Sequence, residues 1–143
     1  MQTLISSSPE STMDIAAKLS DTLSGGEIIA LKGGLGMGKT CFVKGLAAGL
    51  GFSGEVTSPT FAIVNEYIGG RLDLFHFDMY RITGWDDLYS TGYFEYLDAG
   101  GVVAVEWSEN IAGALEGEKV ITVEIGRVSE NERKITIKGG DGL

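Results

Sequence analysis

A chain of 143 residues with 43% hydrophobic residues can bury one core, but it is too short for a nucleotide domain plus a substantial substrate domain. Its 20 acids against 11 bases give a net charge of −9 with no dense Lys/Arg block, which argues against direct binding of nucleic acid through its phosphates. No apolar run approaches the ~20 residues of a membrane span, and one cysteine with one histidine leaves neither an internal disulfide nor a Cys/His zinc site. A single domain over residues 1–143 in a reducing cytoplasm is the expectation. Met1 to Ser8 carries no base and no long apolar stretch, so no secretory signal is expected. Excess acid commonly means only solubility, though it also suits docking on a basic protein.

In chain order, Ser8, Pro9 and Glu10 read as a helix start: a capping hydroxyl, proline at the first helical position, and an acid where the dipole is positive. Ile15, Ala16, Leu19 and Leu23 give that helix a buried stripe, and Ser24, Gly25 and Gly26 end it. Ile28 to Leu31 is the short apolar run of a buried parallel strand. Next come Gly33, Gly34, Leu35, Gly36, Met37, Gly38, Lys39 and Thr40, which match G-x-x-x-x-G-K-[ST]. Glycines at these positions let consecutive N–H groups turn inward on a polyphosphate, Lys39 supplies a mobile cation for the β- and γ-phosphates, and the Thr40 hydroxyl is a magnesium ligand. A glycine-rich surface turn is the plainer alternative. After Cys41, the residues Phe42, Val43, Leu46, Ala47 and Leu50 fall on one helical face and Gly51 stops the helix, whose N-terminus adds its dipole to the phosphate site.

Val56 to Tyr67 is β-branched and aromatic apart from a break at Ser58 and Pro59, Gly69 and Gly70 form a hairpin signal, and Leu72 to Tyr80 returns as a strand. In that return Phe75, Phe77 and Met79 point one way while His76, Asp78 and Tyr80 point the other. Trp85 to Leu97 reads as a short helical segment rich in aromatics and acids. Val102 to Val105 forms a second buried strand ending at Glu106 and Trp107, and Val120 to Ile125 and Lys134 to Lys138 alternate as two strands about a polar turn at Glu130 and Asn131. The expected fold is α/β, a P-loop NTPase-like three-layer sandwich whose central sheet is mainly parallel with an antiparallel hairpin and helices on both faces.

Each remaining chemical position has two readings. Glu106 at the tip of an apolar strand fits the carboxylate that organises magnesium beside a phosphate loop, and equally an ordinary strand end. Thr60 is a switch hydroxyl that reaches metal or γ-phosphate, or a cap in a proline turn. Asp78 orients attacking water or merely faces solvent. His76 is a base or a satisfied structural histidine, Trp107 a stacking surface or a core filler, and Cys41 a packing residue open to thiol reagents.

The N-terminal helix, GGLGMGKT, the SPTF segment at Ser58 to Phe61, HFDMYR at His76 to Arg81 and VEW at Val105 to Trp107 resemble, in that order, the TsaE (YjeE) family over nearly the whole chain. That family comprises small P-loop ATPases of bacterial threonylcarbamoyladenosine (t6A) tRNA modification. The resemblance implies ATP and Mg²⁺ as ligands, and TsaD-type and TsaB-type proteins as partners. It further implies that TsaD transfers threonylcarbamoyl to adenosine 37 of tRNAs reading ANN codons while the TsaE-type subunit uses ATP to support turnover, with tRNA met only indirectly through the complex. It assigns Lys39 and Thr40 to phosphate and metal, Thr60 to a switch, Asp78 to catalysis, and Glu106 to the metal with Trp107 beside it. The chain departs from the family at Gly34, where an acid is usual, and at Met37 and Cys41, where Ala and Thr are frequent. Nothing in the sequence marks an arginine finger, although Arg81 is available, so slow turnover completed by a partner is expected. Two rivals stand: a small-molecule kinase, weakened by four unclustered arginines, and a nucleotide-gated binding module in which hydrolysis is incidental.

Overall fold

The computed structural model describes residues 1–34, 38–54 and 64–139. Its organising strand is β2 (Ile28–Lys32), whose Ile28, Ile29, Ala30 and Leu31 are all buried. A run apolar on both faces can only lie inside a sheet covered on both sides, and β2 is flanked in parallel by β5 (Val102–Glu106) and by β6 (Val120–Arg127). Adding β4 (Leu74–Asp78) beside β5 gives a parallel centre of four strands. Antiparallel strands close both sides: β3 (Val64–Tyr67) on β4, and β7 (Arg133–Lys138) with β1 (Gln2–Ser6) on β6. The order is β1-β7-β6-β2-β5-β4-β3 among the described residues. The mainly parallel sheet with its hairpin is therefore present, and a second antiparallel margin lies at the opposite edge.

Helices α1 (Pro9–Ser20) and α2 (Lys39–Gly49) cover one face, packing on Ile29, Leu31, Ala104 and Val123. Helices α3 (Trp85–Ser90) and α4 (Tyr93–Asp98), a 3-10 turn at Ser108–Ile111 and α5 (Ala112–Leu115) cover the other, over Phe75, Phe77, Val103 and Val105. The helix start at Ser8 is as expected: its hydroxyl accepts the N–H of Ser11 at 3.0 Å, with Pro9 opening the helix. The end comes earlier, with Asp21 as the cap rather than the Ser24–Gly26 stretch. That stretch is instead gathered by the buried Glu27, whose carboxylate accepts the N–H groups of Ser24 at 2.8 Å and Gly25 at 2.7 Å. Burial pushes that carboxyl upward, but the backbone donors and the Lys119 ammonium outweigh it and hold it below the usual range.

Several boundaries differ from expectation. β4 is shorter than Leu72–Tyr80, because Leu72 lies in the bend before it and Tyr80 in the turn after it. The segment Trp85–Leu97 is two helices, broken at Gly92, whose φ of 79° takes the chain out of the helical region. Of Val56–Tyr67, only Val64–Tyr67 falls within the described residues, where it is strand.

Helices α1 and α2 meet almost backbone to backbone. A Cβ on Gly45 would lie 2.4 Å from the carbonyl oxygen of Met13, and one on Gly49 would lie 2.0 Å from Ser20 Oγ. Arg71 ties the ends of both helices to the hairpin: its guanidinium donates to the carbonyls of Ser20 at 2.8 Å and Leu23 at 3.0 Å, while its N–H donates to Leu50. The close crossing generates a prediction. Gly45→Ala gains up to about 1 kcal/mol of helix propensity but forces two backbones apart, at roughly 1–3 kcal/mol for overpacking. The net expectation is a lower urea midpoint than wild type with an unchanged slope.

Candidate nucleotide site

The parallel strands all deliver their carboxyl ends to one edge, the edge at which α2 begins. Two glycines make the approach. Gly33 leaves β2 with φ 149° and Gly38 caps α2 with φ 102°, a left-handed conformation that a residue with a Cβ enters only under strain. Lys39 is the first residue of α2, and Thr40 follows it, exposed at the helix start. Leu35, Gly36 and Met37, along with Thr60, lie outside the described residues. Gly34 is exposed, and Cys41 is a half-buried free thiol in the first turn of α2.

Across the edge, register places Glu106 of β5 opposite Leu31 of β2 and Asp78 of β4. The Glu106 carboxylate stands between two cationic or proton-bearing groups: Lys39 Nζ at 3.2 Å from Oε1 and His76 Nε2 at 2.7 Å from Oε2. A carboxylate only accepts, so His76 donates through a protonated Nε2. That hydrogen bond acts most strongly on Glu106; it and the Lys39 ammonium overcome half-burial and hold the carboxyl below its usual range. His76 is thus neither a free base nor an isolated core histidine but the partner that fixes Glu106.

Asp78 shares the strand face of His76, is exposed, and accepts the N–H of Tyr80 at 3.0 Å, closing a tight turn just after β4. Asn110, which the sequence did not single out, holds that turn from the other side. Its amide donates to the carbonyls of Met79 at 2.9 Å and Tyr80 at 3.2 Å. Arg81 is exposed beyond the turn. Trp107 departs from the core-filling expectation: it is 43% exposed, has φ 60°, and lies against Tyr80 with ring centres 4.9 Å apart. Two clefts flank the start of α2. One is bordered by Gly33, Lys39, Trp107 and Glu109; the other, of about 390 Å³, by Ser8, Gly38, Cys41, Asn131 and Arg133.

A model of the family described as "Threonylcarbamoyl adenosine biosynthesis protein TsaE" matches residues 6–135. Among curated relatives, the Treponema pallidum (strain Nichols) tRNA threonylcarbamoyladenosine biosynthesis protein TsaE is 38% identical over 93% of this chain and 97% of its own length. The proteins of that name from Bacillus subtilis (strain 168) and Aquifex aeolicus (strain VF5) are 41% and 38% identical, over 90% and 96% of this chain and 79% and 96% of theirs. The crystal structure of Bacillus subtilis YdiB superposes with a TM-score of 0.75 at 36% identity, covering 95% of this chain and 83% of that one.

The depressed Glu106 carboxyl has a measurable consequence. A group whose pKa is lower folded than unfolded adds stability above the unfolded value and loses it as pH falls through the folded one. The stability difference between wild type and Glu106→Gln, taken from urea unfolding, is therefore expected to shrink as pH drops below the ordinary value of 4.5.

Proposed function

Since the chain belongs to the TsaE family of threonylcarbamoyl adenosine biosynthesis proteins, we propose that it is the Mg²⁺-dependent ATPase subunit of t6A formation on tRNA. In this reading it acts in the cytoplasm with TsaD-type and TsaB-type proteins, binding and hydrolysing ATP to support turnover of threonylcarbamoyl transfer. The observation that carries it is the Lys39–Glu106 pair at the carboxyl edge of a parallel sheet, where a glycine-initiated helix begins. A lysine for phosphate and a carboxylate for metal, already within contact, are the two charges that phosphoryl transfer requires.

The donor set fits the two ligands. Gly33 and Gly38 hold positive-φ backbone conformations that a residue with a Cβ enters only under strain, and the first N–H groups of α2 are unsatisfied within the helix. No cluster of three or more His, Cys, Asp or Glu that could cage a metal occurs among the described residues; Thr40 and Glu106 would supply the protein ligands, with phosphate oxygens completing the shell. A magnesium ion held by Thr40 and Glu106 would supply charge neutralisation on the β- and γ-phosphates.

In the free protein Glu106 neutralises Lys39; an arriving polyphosphate competes for the ammonium, and His76 keeps the released carboxylate from swinging away. Asp78, exposed at the neighbouring strand end and fixed by its own turn, accepts the hydrogen bond of the water that attacks the γ-phosphorus as the bond to the bridging oxygen of ADP breaks. Thr60 takes the role of switch hydroxyl in this reading.

Lys39→Ala is expected to weaken binding of a fluorescent ATP analogue at least tenfold; unchanged uptake would overturn the reading. Turnover by the isolated chain should be slow and rise with the TsaD-type and TsaB-type pair. Glu106→Gln separates hydrolysis from gating: a variant that binds ATP and the pair but fails to support tRNA modification indicates that hydrolysis is needed, whereas full support indicates a nucleotide-gated binding module. His76→Ala is expected to lower kcat tenfold or more with a smaller change in KM, and His76→Gln, which retains an N–H donor, to recover part of the loss.

A further inference from the structure

From Ile82 to Glu118 the sequence contains eight acids and no lysine or arginine, so nearly all of the net charge of −9 arises in this one segment. The segment builds the layer opposite α1 and α2, and its outer surface is aromatic. Trp85 is 53% exposed and Tyr89 61% exposed, yet both are organised: Trp85 stacks with Phe94 at an interplanar angle of 13°, and Tyr89 lies 5.1 Å from Phe94 between ring centres. Trp85 also rests on α5 at Gly113, where a Cβ would come within 3.1 Å of its ring. Beside it runs a groove lined by Ile82, Trp85, Leu88, Asn110, Ile111 and Ala114. Asp86, Glu95 and Asp98 stand exposed on the same two helices.

Large aromatic side chains held rigid in water at the surface of a chain this acidic need a cover of opposite charge. Nucleic acid and anionic lipid headgroups carry the wrong sign. A second copy would set the acids against each other. Arginine suits both features, because its guanidinium stacks flat on tryptophan or tyrosine and its charge pairs with carboxylates at the rim. We propose that the aromatic face of α3 and α4 is the docking surface for a partner protein whose contacting face carries arginine and lysine. Asn110 lines the groove and its amide holds the carbonyls of Met79 and Tyr80 directly after Asp78, so an occupant of this face bears on the turn that carries the proposed water-positioning carboxylate. The proposal rests on the proposed partnership with TsaD-type and TsaB-type proteins, which serve as its probes.

The test is biolayer interferometry of the full chain against that pair, purified from the same organism, at low and raised NaCl. Two double variants are compared with wild type: Trp85→Ser with Tyr89→Ser, and Asp86→Lys with Glu95→Lys, which leaves the aromatic packing intact. Wild-type affinity is expected to fall with salt, and both variants to bind at least tenfold more weakly while retaining wild-type affinity for a fluorescent ATP analogue. Wild-type binding that persists in the charge-reversed variant overturns the surface alone. Absence of binding by wild type overturns the partnership and the surface together.

Discussion

One carboxylate joins the parts of this molecule that would otherwise be separate. Glu106 belongs to β5, its hydrogen-bond donor His76 to β4, and its cation Lys39 to α2. Two neighbouring strands and the helix that follows a third therefore converge on a half-buried anion. A carboxylate at such an edge costs desolvation unless it is paired on both oxygens, and here it is. Remove either partner and one oxygen of the carboxylate is left at the edge of the sheet without its partner.

Everything behind that edge keeps it rigid. The central parallel strands β2 and β5 are apolar on both faces and sealed by helices, so they cannot slip without exposing a whole row of side chains. α2 is backed by α1 at glycine distance and by Arg71 at its far end. On the other side of the sheet, Asn110 reaches from the turn after β5 to the turn after β4. The site is thus fixed by main-chain contacts on both faces, while the groups that would meet a ligand, Thr40, Asp78 and Trp107, stay exposed.

How much of this was legible in the sequence follows from the range of each interaction. The strand Ile28–Leu31, the glycine loop and the apolar stripe of α2 are local patterns, and the structure reproduces them where it describes them. Strand β1 was not read, because Gln2, Thr3 and Ser6 gave the first residues a polar look and an edge strand buries little. The 3-10 turn and α5 were also missed: at four residues each they have no periodicity to detect. The pairing of His76 with Glu106 joins positions 30 apart and depends on β4 lying beside β5, which no local pattern reveals. Asn110 is likewise invisible before the two turns are brought together. For Trp107, size suggested the core, but its place after the last strand residue turned it outward. The spacing of Gly45 and Gly49, one helical turn apart, was a signal that could have been used to place α1 against α2.

That glycine pair sets a condition on how the sequence can change over evolutionary time. Positions 45 and 49 touch Met13, Ala17 and Ser20 through main-chain atoms and the shortest of side chains, so neither can acquire bulk by itself. Among descendants of this chain, drift at either glycine has to travel together with drift along α1, and the two helices are inherited as a matched pair.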